Sequence, residues 1–262
     1  QEGMLFHHSL DPLDDPYVIT SLLKIKDQAS LDLFLKGMAW VVGRHDALRT
    51  AFFSETLSAP VQAVYRNATI PTFYHDASDI DISTILEELS NITSEDGRVF
   101  DVNAAPLIRI DIVRDTATET MYAIFRCHHL ITDQVSHDTM VHELQAFFRN
   151  ETHLLNKPEP YRNLIANIQN KAEDTESEHF FKQLLSGFDA PNYPFGVSVS
   201  SSHGHKVEQS TLKVPSALSV SLRQVARELQ ISPAVIFHAA WALVLSQCSA
   251  QRDVVFGTVV SG

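Results

Sequence analysis

The sequence predicts a mixed α/β fold, and three observations carry that prediction. Short β-prone runs bounded by turn residues are interleaved with longer segments whose apolar residues recur at helical spacing. One such run, Met121 to Cys127, alternates Met121, Ala123, Phe125 and Cys127 with Tyr122, Ile124 and Arg126, then passes through a short polar stretch into a helical pattern at Met140, Val141, Leu144, Phe147 and Phe148. No internal repeat or low-complexity tract points to a solenoid or a disordered chain.

In chain order, Tyr17 to Ile25 reads as a strand. Ser30 is expected to cap a helix whose buried stripe is Leu31, Phe34, Leu35, Met38, Val41 and Val42. Leu48 to Phe53 and Val61 to Tyr65 read as further strands. Ile82, Ile85, Leu86, Leu89 and Ile92 make a second amphipathic helix, and Pro106 to Val113 leads into a strand. After the Met121 run comes the helix of 135–148. Between Ser186 and Lys206 the pattern dissolves into Gly, Pro, Ser, Asn and His, as a surface connection does. Beyond it, Val207 to Val214 reads as a strand and Ser216 to Leu229 as a helix. Ser232 followed by Pro233 opens a last helix, apolar nearly all round from Val235 to Leu245 and so expected to be buried. Val254 to Val260 reads as a buried strand.

Composition narrows the function classes. The 262 residues are 44% hydrophobic and 20% charged, ordinary for a globular chain. The net charge of −12 argues against nucleic-acid recognition, which needs a basic footprint. Lys and Arg are scattered, so no polybasic membrane patch forms. No apolar run is long enough to cross a bilayer, and a cytoplasmic location is expected. Cys127 and Cys248 both lie in apolar stretches and read as buried thiols rather than a disulfide, a metal site or a nucleophile.

The chemistry concentrates in Arg126-Cys-His-His-Leu-Ile-Thr-Asp133. Imidazole titrates nearest neutrality, so a histidine fixed at a strand end is suited to accept a proton from a nucleophile. A His-His doublet alone is weak, since His7-His8 is another. Asp133 also reads as an ordinary N-cap for the helix that follows, and Arg44 and Arg49 as surface arginines at a helix end.

His128-His129-Leu-Ile-Thr-Asp133 resembles the HHxxxDG signature of the condensation domains of nonribosomal peptide synthetases, within the chloramphenicol-acetyltransferase-like acyltransferases. Further stretches fall in the same order. Gln1 to His8 is similar to the family's opening motif, and Arg44-His-Asp-Ala-Leu-Arg-Thr-Ala-Phe52 resembles its RHxxLRTxF motif. Tyr161 to Ile165 and Asp253 to Gly262 resemble two later ones. The resemblance implies a chloramphenicol-acetyltransferase-like two-lobed α/β sandwich. On it, 1–172 would be the N-terminal lobe, 173–206 the inter-lobe connection and 207–262 the start of a truncated C-terminal lobe.

The resemblance also implies an activity: amide bond formation between a donor thioester and an acceptor amine. Both substrates would be carried on the phosphopantetheine arms of peptidyl or aminoacyl carrier domains, with an adenylation domain adjacent and no cofactor or metal bound by the chain itself. His129 would act on the acceptor amine and His128 would support the loop. Asp133 would face away from substrate, and Arg44 or Arg49 would pair with it to brace the site. The family usually has Gly after this Asp; Gln134 stands there and would border the substrate channel.

Other readings remain open at this level. An epimerisation domain shares the fold and the His pair, and a coenzyme A acyltransferase belongs to the same superfamily. A catalytically silent carrier-docking module is an alternative of another class. A metallohydrolase using His128, His129, Asp133, His137 and His142 fits poorly, because the spacing of His137 and His142 matches no standard zinc helix motif.

Overall fold

The computed structural model describes residues 1–10, 15–54, 57–77, 99–116, 118–171, 175–188, 192–196 and 210–258. The chain divides into two compact units, Gln1–Glu173 and Asp174–Val260.

The first unit is built on a four-stranded sheet in the order β1-β6-β5-β4, from β1 (Val18–Ile25), β4 (Thr72–Ala77), β5 (Ile108–Asp115) and β6 (Met121–His128). β6 pairs antiparallel with both β1 and β5, whereas β4 joins β5 in parallel. β5 and β6 are the inner strands, and Ile108 through Val113 and Tyr122 through His128 are buried on both faces. In β6 the apolar residues accordingly run together from Met121 to Phe125, whereas β5 alternates Ile108, Ile110 and Ile112 with Arg109 and Asp111, and Arg109 and Arg126 both donate to the buried Asp111 carboxylate. A two-stranded ribbon, β2 (Thr50–Phe53) with β3 (Val61–Val64), lies apart from the sheet.

Helix α1 (Glu2–Leu10) precedes β1. Helix α2 (Gln28–Arg44) buries Leu31, Phe34, Met38, Val41 and Val42 in one cluster with Ile108, Ile110, Phe125 and Met140. The stripe is the expected one, and each such side chain removed from water contributes about 1.5–3 kcal/mol. The cap differs from expectation. Asp27 accepts the Ser30 backbone N–H at 2.8 Å, so Ser30 already sits in the first turn. Helix α3 (Gln134–Phe148) crosses α2 where Gly37 faces Leu144 and Phe147; a Cβ built on Gly37 would lie 2.5 Å from Leu144 Cδ1. Helix α4 (Tyr161–Lys171) ends the first unit.

The second unit contains helices α5 (Thr175–Leu184), α6 (Ser216–Glu228) and α7 (Pro233–Ser249). Among the described residues no single helix is long and apolar enough to cross a membrane; α6 and α7 pass together by length and composition but are bent by 105°.

Several expectations need correction. Ala47–Arg49 is a 3-10 turn, so the strand expected from Leu48 begins at Thr50. The helix expected over Ile82 to Ile92 lies outside the described residues. Of the strands expected at Val207 to Val214 and Val254 to Val260, the described parts, 210–214 and 254–258, form no ladder, because no described strand lies beside them to share hydrogen bonds. Helix α7 is apolar as expected, yet Phe237, Trp241 and Leu243 are half exposed or more, because no described element covers that side. Composition alone gives the appetite for burial and not the partner. Helices α1, α4 and α5 and strand β4 were not foreseen; β4 is short and mixes His75 and Asp76 with aromatics, which masks its period.

Candidate active site

The β1–β6 register sets Val18 opposite His128. The turn entering β1 therefore lies beside the turn leaving β6, and the His129 backbone N–H donates to the Tyr17 carbonyl at 2.8 Å. His128 ends the strand fully buried, Leu130 is buried after it, and His129 between them is partly exposed.

Hydrogen bonds fix both rings. The His128 Nδ1 accepts the Leu130 backbone N–H at 2.9 Å, which requires the proton on Nε2, and that N–H donates to the Asp15 Oδ2 at 2.8 Å. The His129 Nδ1 lies 3.1 Å from the Thr132 carbonyl oxygen, an acceptor only, so this nitrogen carries a proton and, in the neutral ring, Nε2 keeps its lone pair. A partly exposed imidazole with its Nε2 lone pair available is what a proton acceptor requires.

Asp15 receives three donors. Besides His128, the His8 Nδ1 lies 2.6 Å from the same Oδ2, and the Tyr17 backbone N–H meets Oδ1 at 2.9 Å. Burial on its own would raise this carboxyl, but the hydrogen bonds from His128, His8 and Tyr17 outweigh it and hold the group well below the usual carboxylate range.

Asp133 caps α3. Its Oδ1 accepts the Ser136 backbone N–H at 2.8 Å and the Ser136 hydroxyl at 2.7 Å, and these bonds lower its pKa. Neither expected arginine reaches it. Arg44 makes a two-pronged bond to Glu143 of α3 and a further one to the Asn156 carbonyl, while Arg49 bonds to Asp46 and to the Tyr65 carbonyl. The expected Arg–Asp133 pair is thus replaced by two separate pairs, because Ser136 already serves the Asp133 cap and each arginine meets a nearer carboxylate. Arg49 nevertheless joins a chain of contacts to the loop. Asp46 Oδ2 accepts the Tyr161 N–H, the Tyr161 hydroxyl accepts from Gln1 Nε2, and that amide also donates to the Leu130 carbonyl at 2.7 Å. Gln134, exposed in the first turn of α3, bonds along the helix to Asp138 at 2.9 Å.

His137 and His142 do not join His128, His129 and Asp133. Among the described residues, the one group of donor atoms close enough to share an ion is His8, Asp15 and His128, within 4.8 Å of one another. Cys127 is buried and its thiol is pushed up to about 12 by that burial, a setting unsuited to a nucleophile. A cleft of about 160 Å³ is lined by His45 and Leu48 in the turn that follows α2, by Ile131 just before α3 and by Val135 and Met140 in its first half. Sequence reasoning missed Asp15. Its signal was Asp14-Asp15-Pro16 at the mouth of a strand, but the pairing that carries it to His128 is not written locally.

Comparison with known proteins accords with this arrangement. The family profile described as Condensation domain matches residues 1–262. The malpinin synthetase of Mortierella alpina is 38% identical over the whole chain and malpibaldin synthetase of the same organism 35%; the chain spans 3% and 5% of their lengths. The gramicidin S synthase 2 of Brevibacillus brevis is 24% identical, again over the whole chain and 6% of its length. Among solved structures, the cyclization-docking bidomain of EpoB from Sorangium cellulosum superposes with a TM-score of 0.71 at 18% identity, covering 94% of this chain and 51% of that one. The first condensation domain of the CDA synthetase gives 0.64 at 15%, covering 97% and 62%. At these identities the structural likeness shows the fold, that of the chloramphenicol-acetyltransferase-like condensation domains.

Proposed function

Because the chain belongs to the condensation-domain family of nonribosomal peptide synthetases, we propose that it takes part in amide bond formation between a carrier-bound donor thioester and the amine of a carrier-bound acceptor. The observation that carries the reading is the His129 ring, whose Nδ1 proton is committed to the Thr132 carbonyl while Nε2 can accept.

On this reading, the acceptor amine attacks the thioester carbonyl with its proton directed at the His129 Nε2. The new C–N bond forms, the tetrahedral intermediate collapses with loss of the C–S bond, and the proton passes to the departing phosphopantetheine thiolate. Holding two tethered reactants in register supplies much of the acceleration. His128 supports the loop from the core. Asp133 acts through the N-terminus of α3, Arg44 and Arg49 brace the elements behind it, and Gln134 borders the acceptor side of the channel. The substrates arrive on phosphopantetheine arms, so peptidyl or aminoacyl carrier domains and an adjacent adenylation domain are the partners, and the chain itself holds no cofactor.

The test uses the full module with both carriers loaded, following amide formation by intact-protein mass spectrometry for the wild type and His129→Ala. Product lost in a folded, loaded variant is the expected result. Deuterium exchange at the α-carbon without amide would move the assignment to epimerisation, and carrier binding without either reaction would leave a docking role.

A further inference from the structure

The cluster formed by His8, Asp15 and His128 lies behind the reacting histidine, and no step of the proposed reaction uses it. Its three donor atoms are close enough to suggest a cation site. The hydrogen bonding argues otherwise. A neutral imidazole has one lone pair to give, and His128 already spends it on the Leu130 N–H at Nδ1. Its Nε2 must then carry a proton, and a protonated nitrogen cannot bind a metal. Placing an ion there would break the bond that shapes the loop.

The same geometry gives the cluster another role. Asp15 fixes the His128 proton on Nε2; that leaves Nδ1 free to accept the Leu130 N–H, and Leu130 is the residue after His129. Two residues beyond Asp15, the Tyr17 carbonyl takes the His129 N–H. One short segment therefore sets the loop twice, through its carboxylate and through its backbone. His8 also bonds Asp15 through the same oxygen, and its ring meets His128 edge-on at 5.6 Å. Asp15 and both histidine side chains are at least nine-tenths buried, so water competes little for these bonds.

We propose that Asp15, steadied by His8, is a positioning residue that sets the His128 tautomer and thereby holds His129 in its reactive orientation. The part of this that concerns rate rests on the amide-forming reading above; the part that concerns the loop does not. In the full module, with the acceptor carrier supplied in trans, Asp15→Ala is expected to lower kcat by about 10- to 100-fold with KM nearly unchanged, since a misplacement of about 1 Å costs rate rather than binding. Asp15→Glu, which restores a carboxylate, is expected to recover part of the loss. Independently of any activity, amide hydrogen exchange across 128–133 is expected to rise several-fold in Asp15→Ala, while peptides from α6 and α7 stay as in the wild type.

Unchanged exchange across 128–133 overturns the proposal, as does an unaltered kcat in a folded variant when His129→Ala is inactive. A fall in kcat matched by an equal loss of folded protein also overturns it. Stoichiometric zinc held by the wild type and lost in His8→Ala would make the cluster a metal site instead. If His129→Ala retains full activity while exchange rises as expected, the reaction reading fails and the role of Asp15 in setting the loop stands.

Discussion

Arg44 closes on Glu143 with two parallel hydrogen bonds, Nε to Oε2 at 2.9 Å and Nη2 to Oε1 at 3.0 Å, across 99 residues of sequence. The pair joins the end of α2 to the middle of α3, and His45 adds a third contact at 2.8 Å. Because the Glu143 side chain is only 7% exposed, removing its partner strands a charge away from water. Arg44→Ala is expected to lower unfolding free energy by about 2–3 kcal/mol in chemical denaturation. Arg44→Lys should recover less than half, because an ammonium cannot match the two-pronged geometry.

Acid sensitivity follows from the same carboxylate. Burial raises the Glu143 pKa, but the bonds from Arg44 and His45 overcome it and leave it below its ordinary 4.5. A carboxyl whose folded pKa is depressed binds its proton more readily in the unfolded chain. Its contribution to stability is therefore complete above pH 4.5 and is lost as pH falls through the folded value. Glu143→Gln should flatten the acid limb of a stability–pH curve while lowering its neutral plateau.

Asp133 offers a way to separate a cap from a catalytic carboxylate. Asp133→Ala should cost about 1 kcal/mol through loss of the α3 cap. Asp133→Ser keeps a capping oxygen and should recover most of that stability, and amide formation should follow the cap. An inactive but fully stable Asp133→Ser would assign the carboxylate a direct part in the reaction.

Gly37 lies where α2 meets α3. A single methyl there meets Leu144 Cδ1 and Phe147, so the gain in helix propensity from Gly37→Ala should be cancelled to within about 1 kcal/mol. Gly37→Val, branched toward the same neighbours, should destabilise by about 1–3 kcal/mol, read from thermal and denaturant unfolding.

Cys127 is 1% exposed and its thiol is pushed up to about 12 by burial, whereas Cys248 is half-buried. In the native protein, alkylation followed by peptide mass spectrometry should label Cys248 and leave Cys127 unmodified until the chain unfolds. Labelling of native Cys127 on the same timescale would revive a reactive thiol beside the His pair.

Much of the first unit was legible in the sequence, because its signals are local. The α2 stripe, the strand ending at the His pair and the helix after it are written in spacings of two and of three to four residues. The site was readable as a motif, and the tautomer of His129 depends on a carbonyl only three residues away. What the sequence withheld depends on pairing at long range. Nothing near Asp15 announces His128, 113 residues away, and nothing near Arg44 prefers Glu143 to Asp133. Helix α7 shows the converse: its apolar surface was plain, yet the residues that would cover it could not be read from the helix itself.

The strand register that sets the first residues of β1 against the last of β6 also imposes an order on synthesis. His8 and Asp15 leave the ribosome more than a hundred residues before His128. At about 5–20 residues per second, they wait on the order of ten seconds for the imidazole they will grip. During that interval His8 and Asp15 sit at the entrance of an edge strand whose partner has not been made. The turn bearing His129 then takes shape as one event when β6 arrives, so nascent chains paused short of that strand should lack it altogether.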